Sequence, residues 1–128
     1  MWIRHDEGVR PTLLIVDDQA DFRGLARRLL TADGFEVVGE AADGPAAVAA
    51  VCALQPDVVL LDVQLPGLDG FEVTRRLRVV SNAVVVLTSV RDREDYGDQV
   101  ERCGASGFVR KVELSGAAVR AAAMGSGR

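Results

Sequence analysis

Acidic, hydroxyl and ammonium side chains recur in this sequence directly behind apolar runs. Asp17 and Asp18 follow Leu13–Val16, Asp62 follows Val58–Leu61, Thr88 and Ser89 follow Ala83–Leu87, and Lys111 stands just past Phe108–Val109. If those runs lie side by side, three carboxylates, two hydroxyls and an ammonium share one site. Carboxylates gathered in this way raise one another's pKa unless a cation compensates them. A hard divalent ion such as magnesium is the natural remedy, since it takes oxygen ligands and often uses one or two carboxylates plus a phosphate. A carboxylate is also a nucleophile that can form an acyl phosphate, and Asp62, the central one, is the candidate. Lys111 offers a point charge to phosphoryl oxygens and partly neutralises the acidic cluster in their absence. The Thr88 hydroxyl can donate a hydrogen bond to a phosphoryl oxygen. Taken singly, each residue has a plainer role: Asp17 or Asp18 as a helix cap, Thr88 in a turn, Lys111 in solvent. Their joint placement behind four runs argues for a site.

The elements that must position them are legible in the periodicity. Five runs read as strands: Leu13–Val16, Glu36–Ala41, Val58–Leu61, Ala83–Leu87 and the short Phe108–Val109. Three are continuously apolar, as strands of a parallel sheet covered on both faces are. The second is mixed, as suits an edge strand. Helical spacing links them: Phe22, Leu25, Ala26 and Leu29; then Val48, Val51 and Cys52 after Pro45; then Gly70, Val73 and Leu77. A thinner stripe of Tyr96, Val100 and Cys103 follows, and Ala117, Ala118, Ala121 and Ala122 come after Ser115, a plausible N-cap. Five βα units predict an α/β fold, a doubly wound, flavodoxin-like sandwich with a parallel five-stranded sheet in the order 2-1-3-4-5. Its ligand crevice lies where strands 1 and 3 end, which is where the aspartates stand. Gly67 and Gly70 flank the Pro66 turn, where backbone geometry is their expected job.

Composition bounds the rest. The chain has 128 residues, 48% hydrophobic and 27% charged, with a net charge of −4. This is one domain's worth of chain, and its sign argues against direct nucleic-acid binding. No apolar run reaches the ~18 residues of a membrane span, and the N-terminus lacks a signal-peptide core; the cytoplasm is the default compartment. Residues 1–11 read as a polar leader, 12–124 as the domain and 125–128 as a flexible tail. His5 and Trp2 fall in the leader and are given no functional part. Cys52 and Cys103 read as reduced thiols in or near the core.

From about Thr12 to Met124 the chain resembles the receiver domain of two-component response regulators. The resemblance is carried by Leu-Ile-Val-Asp-Asp (14–18), Leu-Leu-Asp-Val-Gln-Leu-Pro-Gly-Leu-Asp-Gly (60–70), Val-Leu-Thr-Ser (86–89) and Gly-Ala-Ser-Gly-Phe-Val-Arg-Lys (104–111). It implies a signalling switch rather than an enzyme, limited to self-phosphotransfer and slow autodephosphorylation. It implies that Asp62 accepts a phosphoryl group from a sensor histidine kinase or histidine phosphotransfer protein. It implies Mg2+ held by Asp18 and Asp62, by Asp17 through water and by the Gln64 carbonyl. Thr88 and Phe108 match the switch pair and Lys111 the phosphate-contacting lysine. An output partner or effector domain, and a phosphorylation-dependent homodimer, are the further partners implied. The face built by the fourth helix, fifth strand and fifth helix is expected to change on phosphorylation.

One departure bears on this reading. The family usually has proline after the lysine, joined by a cis bond, whereas here Val112 follows Lys111. A cis bond costs about 2.5–4 kcal/mol before any other residue, so a trans Lys111–Val112 bond is expected, with an altered path into the last helix. Three rival readings fit the residues less well. A haloacid dehalogenase-type phosphatase needs a second Asp where Gln64 stands. A flavodoxin-like nucleotide binder needs a Gly- or Ser-rich first loop, not the acidic Asp17–Asp21. A pseudo-receiver that docks without phosphorylation rests on Val112 alone.

Overall fold

Consecutive side chains of a strand point to opposite faces of its sheet, so a continuous apolar run needs cover on both sides. The computed structural model, which describes residues 10–125, provides it. Trp2 and His5, with nearly all of the leader and tail, lie outside the described residues. The elements run β1 (Thr12–Val16), α1 (Ala20–Ala32), β2 (Glu36–Ala41), α2 (Gly44–Leu54), β3 (Val58–Asp62), α3 (Gly70–Val80), β4 (Val84–Ser89), α4 (Gln99–Arg102), β5 (Gly107–Arg110) and α5 (Gly116–Ala123). The strands are all parallel, in the expected order β2-β1-β3-β4-β5.

Alternation splits the core into two layers. Leu14, Val16, Val59, Leu61, Val85 and Leu87 face α2 and α3, against Val51, Val73 and Leu77. Leu13, Ile15, Leu60 and Val86 face the other way, against Leu30 of α1 and Val119 and Ala122 of α5. Burying each such side chain contributes roughly 1.5–3 kcal/mol. Asp43, Asp69 and Ser115 cap α2, α3 and α5 by accepting from Ala46, Glu72 and Ala118 N–H groups; removing a cap of this kind costs ~1 kcal/mol.

The helices depart from the spacing in four places. In α1 the buried line is Ala26 and Leu30 with Phe22 and Leu29 leaning on it, and Leu25 is exposed. In α2 the buried face is Gly44, Ala47 and Val51, and Cys52 is exposed; a helix apolar nearly all round gives spacing no way to choose its face. In α5 the buried residues are Gly116, Val119, Ala122 and Ala123, while Ala117 and Ala121 face out. The fourth helix is broken: Arg93–Tyr96 is a 3-10 turn, Gly97 takes φ +60°, and α4 is a single turn. Cys103 is buried behind it, as expected.

The strands also extend further than the apolar runs. β4 includes Thr88 and Ser89, and β5 covers Gly107–Arg110. No peptide bond among the described residues is cis, so Lys111–Val112 is trans as expected. The chain then makes a 3-10 turn over Lys111–Glu113 before α5.

The broken segment has a measurable consequence. Among its helical turns only Val100 is buried, against Ala26 and Leu30 in the thirteen-residue α1. Amides of residues 91–102 should exchange with solvent well before those of α1, because local opening there exposes little apolar surface. Hydrogen exchange read by mass spectrometry checks this; equal protection in the two segments would refute it.

Candidate functional site

Parallel register brings the reactive residues to one edge. Val16 pairs with Leu61, which sets Asp17 beside Asp62, and Asp62 pairs with Thr88 across β3 and β4. Asp17 is fully buried and Asp62 nearly so, while Asp18 is exposed. The three offer carboxylate oxygens that all lie within 4.8 Å of one another.

The Asp17 backbone is tied down by its own N–H, which donates to Ala41 O, and by Arg23 Nη1, which donates to Asp17 O at 2.6 Å. Its side chain accepts the Gln19 N–H at 2.8 Å. Asp62 Oδ1 accepts the Gln64 N–H at 3.1 Å. Lys111 Nζ sits between the two carboxylates, 2.6 Å from Asp17 Oδ2 and 3.2 Å from Asp62 Oδ2, over the Phe22 ring at 4.3 Å. Val112 therefore does not turn Lys111 away from the cluster. The ammonium is thus a charged donor shared by Asp17 and Asp62. The three carboxylates form an all-oxygen donor set, which fits a hard cation such as magnesium better than a soft metal.

Burial and charge shift two groups of the site in the same direction. Burial is the main force pushing the Asp62 pKa from 3.8 up to about 6; the Gln64 N–H opposes it, Asp17 adds to it and Lys111 offsets it. Burial works against the Lys111 ammonium too, but the Asp17 and Asp62 carboxylates prevail and hold its pKa above the ordinary lysine value.

The Asp62 shift fixes a pH dependence. The folded pKa is above the unfolded one, so the folded state holds the Asp62 proton more tightly. This contribution to stability is complete below about pH 4 and is lost as pH rises through about 6. In magnesium-free protein it should amount to roughly 2–3 kcal/mol between pH 4 and 7.5. Urea unfolding of the parent and of Asp62→Asn across that range isolates it, because other carboxylates titrate in both. A stability difference between the two that does not change with pH would refute the assignment.

Thr88 and Phe108, the expected switch pair, stand differently. Thr88 is buried, but its hydroxyl donates to Val109 O at 2.7 Å and is turned toward β5, away from Asp62. Phe108 is half-buried beside the Tyr96 ring, with centroids 6.0 Å apart. Gln64 is exposed, in the loop directly after β3. Two contributors were not read from the sequence: Arg23, which holds the Asp17 carbonyl, and Phe22, under the lysine. Both lie on the first turns of α1, behind the acidic loop, and only that position hinted at them.

Comparison with known proteins identifies the family. The family model of the response regulator receiver domain matches residues 13–122. A protein-glutamate methylesterase/protein-glutamine glutaminase from Anaeromyxobacter dehalogenans is 43% identical over 115 residues, 88% of this chain and 33% of the relative. The DNA-binding transcriptional activator EvgA of Escherichia coli is 34% identical over 78% of this chain and 50% of its own length. The chain thus spans about a third to a half of these relatives. Among solved structures, the signal receiver domain of NarL from Mycobacterium tuberculosis superposes with a TM-score of 0.79 at 34% identity, covering 93% of this chain and 98% of that one. A chain of the CheX–CheY complex with BeF3 and magnesium from Borrelia burgdorferi gives 0.81 at 29% identity, covering 97% and 94%. With the sheet order, the aspartates at its edge and the lysine between them all in place, this chain belongs to the response regulator receiver domain family.

Proposed function

We propose that this domain is a phosphorylation switch of a two-component system in which Asp62 is the phosphoacceptor. The observation that carries the reading is Lys111, held between two buried carboxylates beside a third, exposed one. An Asp62 carboxylate oxygen attacks the phosphorus of a partner's phosphohistidine; the new O–P bond forms as the P–N bond breaks, and the imidazole leaves. Lys111 then meets a phosphoryl oxygen, which replaces part of its contact with Asp62. Thr88 releases Val109 O and donates to another phosphoryl oxygen, and Phe108 moves into the space this opens. The face of α4, β5 and α5 changes as a result and is read by an output partner, an effector domain or a second copy of the chain. Asp18, Asp62 and the Gln64 carbonyl, with Asp17 through water, would hold magnesium, which would supply neutralisation of charge on the transferring group. The neighbour from Borrelia burgdorferi, with BeF3 and magnesium in its complex, supports this reading.

In this reading the domain is a switch rather than an enzyme and works in the cytoplasm. No helix among the described residues is long and apolar enough to cross a membrane.

Acetyl phosphate tests the reading. Intact mass should show one phosphoryl group added in the presence of magnesium and none after chelation. Asp18→Ala should bind magnesium at least tenfold more weakly by NMR titration of amide shifts, since it removes one charged oxygen ligand. Equal magnesium affinity in that variant, or phosphorylation indifferent to chelation, would sink it.

A further inference from the structure

Ser89 is the last residue of β4, next to Thr88, and is fully buried. Its Oγ lies 2.7 Å from the Tyr96 hydroxyl and accepts the Arg91 N–H at 3.1 Å. This side-chain bond closes the loop between β4 and the broken fourth helix. Between its ends the chain is exposed at Val90, Arg91 and Asp92 and has only one 3-10 turn, with no buried residue in it. The Tyr96 ring is anchored as well. It meets Phe71 of α3 edge-on at 5.5 Å and lies 6.0 Å from Phe108. Tyr96 thus joins three things: the residue after Thr88, the packed core, and the aromatic ring of the switch pair.

We propose that the Tyr96 hydroxyl is a latch that holds the resting form, acting as a positioning residue through Ser89. The argument is geometric and rests on the phosphorylation-switch reading. Thr88 reaches Asp62 only after leaving Val109 O, and Phe108 moves only if its neighbour Tyr96 lets it. Both movements pull on the end of β4 that Ser89 and Tyr96 tie together. In the structure the Thr88 hydroxyl faces β5 while the Ser89–Tyr96 bond is made. The bond therefore belongs to the form in which the switch is off, and a group that favours one form shifts the balance by its differential interaction alone.

A second tie on the same loop supplies a control. Asp92 Oδ1 pairs with Arg110 Nε at 2.8 Å, with both side chains substantially exposed. An exposed pair of this kind contributes little and weakens with salt.

The test uses Tyr96→Phe, which keeps the ring and removes only the hydroxyl, with Ser89→Ala, the double variant and Asp92→Asn. The probe is beryllofluoride with magnesium, titrated by amide shifts. Tyr96→Phe should tighten the apparent affinity about threefold to tenfold, the range of one neutral hydrogen bond, with unchanged saturation and a melting temperature of the unliganded protein lowered by about a few degrees, since the resting form loses that bond. The double variant should gain no more than the single, and Asp92→Asn should gain little. A purely structural tyrosine would lower the melting temperature in the same way but leave the binding no tighter. Unchanged or weaker affinity in Tyr96→Phe, or additive effects in the double variant, would overturn the latch. Two failures are told apart by the parent protein: if it takes no beryllofluoride, the phosphorylation reading fails and the latch with it, whereas a parent that binds and a Tyr96→Phe that binds no tighter overturn the latch alone.

Discussion

Asp62→Asn is expected to take up no phosphoryl group from acetyl phosphate and magnesium under conditions in which the parent is modified. The substitution keeps shape and volume and removes only the nucleophilic, ionisable oxygen. No neighbour replaces it. Asp17 is fully buried and already accepts from Gln19 while facing Lys111. Asp18 is exposed, whereas the Lys111 ammonium is placed on Asp17 and Asp62. Intact mass reads the result directly, and the effect is a loss of the whole signal rather than a fraction. A persistent adduct in Asp62→Asn would show that another side chain is the acceptor. The same variant should be the more stable protein at pH 7.5 without magnesium, since burial makes ionised Asp62 unfavourable in the fold. Loss of function with gain of stability separates a site residue from a structural one, whose removal lowers both.

The parts of this molecule legible in its sequence are those set by short-range rules. Continuous apolar runs announce buried parallel strands, and a polar residue at the end of such a run must lie at the carboxyl edge of the sheet. Asp17, Asp18, Asp62 and Lys111 were placed by that logic, and the structure brings all four together. What was hidden depends on contacts between distant residues. Leu25 and Leu30 are equally apolar, and only the direction in which α1 meets the sheet decides that Leu30 is buried. Cys52 lies on a helix apolar on nearly every side, so its exposure has no local sign. The break in the fourth helix was signalled by Gly97, but the weak stripe of Tyr96, Val100 and Cys103 was read straight through it. The hydrogen bond between Ser89 and Tyr96 joins the end of a strand to a turn seven residues on, across a loop with no period to announce it. The direction of the Thr88 hydroxyl is likewise invisible, because a buried threonine on β4 has acceptors on either side.

Gly70→Ala should destabilise the fold by about 3 kcal/mol or more and impair phosphoryl uptake, whereas Gly67→Ala should cost only about 1 kcal/mol. The two glycines stand three residues apart and do different jobs. Gly67 takes φ +80°, a left-handed conformation, with open space where a Cβ would be. Its replacement meets the ordinary conformational penalty and nothing else. Gly70 has no such φ. A Cβ built there would lie 2.5 Å from Asp62 O and 2.8 Å from Val63 Cα, both backbone atoms. A flexible side chain could move aside, but these atoms belong to the end of β3 and the residue after it. The Gly70 N–H also donates to Val63 O at 2.7 Å, so the helix start is drawn onto the very backbone a methyl group would strike. Relief requires α3 to retreat from β3, which loosens buried Phe71, Val73 and Leu77. Overpacking of this kind costs 1–3 kcal/mol where side chains can adjust and about 3 or more where only backbone is available. The displaced segment carries Asp62 and the Gln64 N–H that orients it, so uptake of the phosphoryl group suffers with the fold. Urea unfolding of the two variants side by side decides the matter: equal losses would show that the backbone beside Gly70 gives way to a Cβ at little cost.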